Sequence, residues 1–160
     1  MTDFHVSKDT IIDASPEAIF AIVSDLTQHH KLAGSGELVE IRKVTPGPIG
    51  LGSVVEANES IQFGDRFMEF LARSIVVSFN PPKTFSWIPT PPLPIRRIQW
   101  WFHLSPAGQG TKVMHEVEVD LGDESFEMFG GAENFKATRG ADIASGMEKT
   151  LENVRKAVSA

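Results

Sequence analysis

The sequence predicts an α+β fold in which a curved antiparallel sheet of about seven strands wraps around a long C-terminal helix. Three observations lead there. Ile143, Met147, Leu151, Val154 and Val158 recur at helical spacing, so they form one apolar stripe between Gly140 and Ala160. Ahead of that stripe run six segments with the alternation of strands, most joined by short connections, and a seventh opens the chain. Successive antiparallel strands curl, and a chain of 160 residues can shield a stripe of about 30 Å only with a concave surface.

Taken in order, Phe4 to Asp13 is β-branched with partial alternation and reads as the first strand. Ser15 is a helix N-cap, Pro16 suits the first helical position, and Glu17 is favoured by the helix dipole. Ile19, Phe20, Val23 and Leu26 form the buried face of this helix, which is expected to end between Thr27 and Lys31. Gly34-Ser35-Gly36 then gives a flexible exit. Glu37 to Thr45 alternates as a strand, and Pro46 to Gly52 is too rich in proline and glycine for regular structure. Ser53 to Phe63 and Arg66 to Phe79 are strands about a turn at Gly64-Asp65. Asn80-Pro81-Pro82-Lys83 interrupts, and Thr84 to Ile88 is a short strand. Pro89 to Pro94 is an extended connection. Ile95 to Ser105 and Thr111 to Leu121 form a hairpin with Ala107 to Gly110 at its tip. Gly122 to Arg139 reads as a loop with a short helical turn around Phe126 to Phe129. The chain shows no internal repeat and no linker, so residues 1–160 are expected to form one domain.

Composition removes several classes of chemistry. The absence of cysteine eliminates disulfides, thiolate nucleophiles and thiolate metal sites, and the absence of tyrosine eliminates a phenolic acid. Acid–base work must fall to Asp, Glu, His or Lys. A formal charge of −6 argues against nucleic acid. No stretch is long or apolar enough to insert in a membrane and no basic leader precedes an apolar run, so a cytoplasmic protein is the expectation. The glycines of Gly47 to Gly52 precede a strand and lack a following Lys-Ser or Lys-Thr, so they are not read as a phosphate cradle.

Several local features, in the same order, resemble the START-like (SRPBCC, Bet v 1-like) superfamily and, within it, the polyketide cyclase/dehydrase-like group of small bacterial proteins. They are Ile12 to Phe20 with Asp25, the loop Gly47 to Gly52, the junction Phe79 to Trp87, the turn Gly110 to Val113 and the closing helix Gly146 to Val154. Leu32 departs from the tryptophan that many relatives carry after the first helix. The resemblance spans nearly the whole chain and implies a helix-grip fold. It also implies a cavity between sheet and C-terminal helix, used for hydrophobic ligands or cyclisation chemistry.

Alternation nominates the residues that would line such a cavity. Val113, His115, Val117, Val119 and Leu121 share one face of the last strand, Ile98, Trp100, Phe102 and Leu104 one face of the strand before it, and Met68, Phe70, Ala72, Ser74 and Val76 one face of the long strand. Phe70, Trp100, Phe102, His115, Val117, Met147 and Leu151 are the expected ligand contacts. His115 interrupts an aliphatic face. It suits a core histidine bonded to a neighbouring group, a contact to a ligand carbonyl, or a general acid–base, in that order. Glu59 is the second acid–base candidate if Val55, Ala57, Glu59 and Ile61 face inward. The opposite parity of that strand, or a position beyond the core, is the favoured reading. His29-His30 is read as a solvated helix end and not a metal site, and His5 and His103 rank below it as candidates. Phe126, Met128, Phe129 and Phe135 suit an apolar lid, a loop anchor or a dimer contact.

Binding of a hydrophobic small molecule of lipid, polyketide or aromatic type is the leading functional expectation. A cyclase- or dehydratase-like enzyme using His115, with Glu59 in support, is the alternative, followed by an interaction module whose cavity is filled with side chains. No cofactor or metal is expected, and a monomer or homodimer fits equally.

Overall fold

Alternating β-branched, aromatic and polar residues build seven strands: β1 (Phe4–Ile12), β2 (Leu38–Lys43), β3 (Val54–Phe63), β4 (Arg66–Asn80), β5 (Thr84–Thr90), β6 (Ile95–Ala107) and β7 (Gly110–Leu121). The computed structural model describes residues 3–63 and 65–160, and nothing of the Phe63 and Phe126 side chains, so Gly64 of the expected turn lies outside the described residues. The strands pair antiparallel in the order β1-β7-β6-β5-β4-β3-β2. Register in two pairs matters for the site: Phe102 lies opposite His115, and Glu59 opposite Phe70.

Helix α1 (Pro16–Val23) starts as its residues dictate, with the Ser15 hydroxyl accepting from the Ala18 N–H at 3.2 Å. It is shorter than expected. Asp25 leaves the helical region at ψ 87° and its carboxylate accepts from the Thr27 N–H, so a 3₁₀ turn (Leu26–Gln28) and a short helix α2 (His29–Leu32) follow instead of one continuous helix. A cis Pro81–Pro82 bond lies between β4 and β5.

The segment after β7 departs further from expectation. The expected helical turn at Phe126 to Phe129 is the end of α3 (Asp123–Phe129), but in place of the remaining loop stands α4 (Ala132–Phe135), and a π turn (Lys136–Gly140) carries α4 directly into α5 (Ala141–Ser159). The closing helical run therefore begins at Ala132, well before Gly140. Gly140 sits where this run meets β1: a Cβ there would come within 2.7 Å of the Phe4 ring, so a close helix–strand approach requires glycine.

Side chains divide the core into two clusters. One gathers Ile12, Ile19, Phe20, Val23, Phe85, Leu104, Leu151 and Val154 beneath α1 and α5. The other holds Val117, Val119, Leu121, Phe129, Phe135 and Met147. Trp100 packs against both. Inward parity in β4, β6 and β7 follows the alternation of the sequence. In β3 the structure takes the less favoured of the two parities, with Val55, Ala57 and Ile61 buried. Its opposite face carries Glu56, shielded from water by two guanidinium groups: Arg42 Nη2 lies 2.6 Å from Oε2, and Arg73 Nη2 3.0 Å from Oε1. Bonds from Arg42, then Arg73, hold that carboxyl below the usual range despite burial. That ion triad explains how an acid can be buried with outward parity.

Candidate functional site

The concave sheet and α5 do not close on each other completely. Between the two core clusters lies a cavity of about 410 Å³. Its wall takes Trp87 from β5, Trp100 and Phe102 from β6, His115 from β7, Glu59 from β3 and Phe70 from β4, with Met147 from α5 and His29 from α2.

Of the residues expected to line it, Phe70, Trp100, Phe102, His115 and Met147 do, and Glu59 joins them. Val117 and Leu151 do not. Val117 is fully buried in the second cluster, with the much larger Trp100 opposite it in register and forming the wall there. Leu151, one turn beyond Met147, packs into the first cluster at 4% exposure. Phe129 and Phe135 of the expected lid do line the cavity, with their rings edge-to-face at 5.0 Å.

One pole of the cavity is aromatic. His115 lies flat on Phe102, centroids 4.2 Å apart and planes 6° from parallel, and also stacks with Trp100 at 5.2 Å. Its Nδ1 is 3.0 Å from the Trp101 carbonyl, and a carbonyl only accepts, so Nδ1 carries the proton. Burial pushes the imidazole down to about 4, against the opposing pull of that carbonyl. A neutral ring protonated at Nδ1 leaves Nε2 as a bare acceptor. The expected contact to a ligand carbonyl therefore has the wrong polarity.

His29 corrects a second expectation. It is not at a solvated helix end: only 6% exposed, it meets Trp87 edge-on at 4.8 Å. Its Nε2 donates to the Val23 carbonyl at 2.7 Å, and burial lowers its pKa to about 4. Sequence alternation could not find it, because α2 is a single turn whose direction is set by the break at Asp25. Trp87 was missed for a related reason: it lies on a strand too short to show a period. His5 and His103 converge instead on Glu116 of the outer sheet face, at 2.7 and 2.9 Å.

The other pole is charged. Arg139, on the π turn, forms a bidentate pair with Glu37 just before β2, with Nη2 2.6 Å from Oε2. Glu59 faces this pair. Its carboxyl makes no hydrogen bond among the described residues, and desolvation, then repulsion by Glu37, raise its pKa to about 7 despite Arg139. Gly34 seats the adjoining loop against α5, its N–H donating to Thr150 Oγ1 at 2.9 Å. A methyl at Gly34 would overlap the Gly146 carbonyl.

No helix of the described residues is long and apolar enough to cross a membrane. Comparison with curated proteins gives no match. Among solved structures, the chain resembles the di-domain ARO/CYC protein BexL from a biosynthetic pathway (TM-score 0.78, 15% identity), covering 98% of this chain and 50% of that one. The chain thus spans half the length of that protein. The KanY protein is similar over the full length of both chains at 19% identity (TM-score 0.70). Major latex-like protein 151 of Panax ginseng is similar over 96% of this chain and 95% of its own, at 14% identity (TM-score 0.66). These likenesses show the seven-stranded helix-grip fold. The sequence itself matches, over residues 3–159, the profile of the family described as polyketide cyclase / dehydrase and lipid transport, and it is to this family that the chain belongs.

Proposed function

We propose that the protein holds a hydrophobic small molecule, of lipid, polyketide or aromatic type, in the cavity between sheet and α5. The observation that carries this reading is the cavity itself: about 410 Å³ with an aromatic wall and a few polar groups. Cavities of this size and lining are the usual form of small-molecule sites. The same space weighs against an interaction module with a filled cavity. Mass spectrometry of protein purified under native conditions should show a small apolar molecule at close to one per chain. Titration with apolar aromatic compounds should quench Trp87 and Trp100 saturably. A protein free of small molecules that also gives no saturable quenching would defeat the proposal.

A cyclase- or dehydratase-like reaction is a second reading, supported by Glu59. A carboxyl with a pKa of about 7 lies close to the optimum for moving a proton at neutral pH. His115 is a weaker candidate, since a pKa of about 4 makes its neutral form a poor base. With a substrate in hand, Glu59→Gln should keep binding and lower turnover by about 10²-fold or more. Unchanged turnover would remove Glu59 from the reaction, and a wild-type protein with no turnover would leave binding as the sole function.

A further inference from the structure

His29 and His115 stand on different elements yet look into the same cavity. Both are packed against the same two rings, Trp87 and Phe102. In each, one ring nitrogen is tied to a main-chain carbonyl: Nε2 of His29 to Val23, and Nδ1 of His115 to Trp101. Both tied nitrogens must donate, which leaves Nδ1 of His29 and Nε2 of His115 as acceptors with no partner among the described residues. The aromatic pole thus offers two lone pairs and no proton from these rings.

The geometry points to a ligand recognised as a hydrogen-bond donor: a hydroxylated aromatic molecule whose phenolic O–H groups meet His29 Nδ1 and His115 Nε2 while its ring lies among Trp87, Trp100 and Phe102. This rests on the cavity-binding reading and narrows its ligand class. The flat wall suits a ring, and a histidine acceptor on the lining of an apolar cavity is satisfied by a donor on whatever fills the cavity. An ether or quinone oxygen in the same place would set lone pair against lone pair, and a site built for one hydrogen-bonding partner rejects the analogue that lacks it.

Equilibrium dialysis with 1-naphthol and 1-methoxynaphthalene tests this, because the two differ in the donor and share the ring. Wild-type protein should bind the naphthol roughly tenfold more tightly, the scale of one or two buried hydrogen bonds. The double variant His29→Phe/His115→Phe should bring the ratio of the two affinities to about one. Nitrogen-15 spectra of the wild-type rings give a check independent of any variant: His115 should be protonated at Nδ1 and His29 at Nε2. Equal wild-type affinity for the two compounds, a ratio unchanged in the double variant, or the reverse ring protonation would overturn the inference while leaving the cavity reading intact. Failure of both compounds to bind the wild type would take the inference down with the cavity reading, and native mass spectrometry separates those cases.

Discussion

Burial acts on Glu59 and His115 in the same sense, against charge, so it moves their pKa values in opposite directions. For Glu59, whose folded pKa of about 7 lies above its ordinary value, the folded state holds the proton more tightly than the unfolded chain. Stability assisted by that proton is full in acid and declines as pH rises to about 7. Glu59→Gln is therefore expected to raise the melting temperature at pH about 8 and change it little at pH about 4, and melts across that range check it. For His115 the sign reverses. Its folded pKa is depressed to about 4, so its contribution is full above the ordinary histidine value and is lost as pH falls toward 4. His115→Phe keeps the stack on Phe102 but removes the bond to the Trp101 carbonyl. It should cost about 1 kcal/mol at neutral pH and make the acid limb of the stability profile shallower. Denaturant titrations at two pH values would show both effects. Strand alternation places His115 inward and reaches Glu59 only through the less favoured parity of β3, because a period of two groups side chains by face without saying which face is buried. Their protonation was not legible: it depends on Trp101, Glu37 and Arg139, which other elements bring near.

At the scale of elements, α5 combines two tasks along one stripe. Met147 borders the cavity, whereas Leu151 is embedded in the first core cluster. Leu151→Ala should thus cost about 2–4 kcal/mol, since it removes packed contacts and leaves a new void. A loss well under this range in urea unfolding would show that the neighbouring wall collapses to fill the space. The loop from α2 to β2 depends on its close approach to the same helix. Gly34→Ala sets a methyl against the Gly146 carbonyl, which the backbone of α5 cannot yield cheaply. An expected loss of about 1–3 kcal/mol is the usual scale of overpacking. Periodicity found α5 from its stripe, but it placed the start of the helical run too late. The stretch from Ala132 to Gly140 is helical because Phe129 and Phe135 pack on Phe4 and Met147, contacts that no local pattern encodes.

For the whole molecule, the hollow separates two core clusters that share little besides Trp100. A ligand filling it would join the sheet, α2 and α5 and bind the native state alone. Melting temperature should consequently rise with 1-naphthol concentration, by the equivalent of about 2.7 kcal/mol at a hundred times the dissociation constant. A melting point independent of concentration would mean that the compound does not occupy the folded protein.

The sequence by itself determined the succession of strands and helices along the chain, the inward faces of β4, β6 and β7, the cap of α1 and the stripe of α5. Each follows from a local period or a local hydrogen bond, so neighbours along the chain suffice to specify it. Tertiary structure alone decided the rest. The parity of β3 was ambiguous because Glu56 could be buried outward only with Arg42 and Arg73 across the sheet. His29 became a cavity residue because Asp25 breaks the helix and redirects its last turn. Val117 and Leu151 face inward without lining the cavity, because a period reports which side faces inward and not how far an opposing side chain reaches. Whether an inward residue meets a neighbour or an empty space is fixed by the curvature of the sheet around α5, a property of all seven strands together.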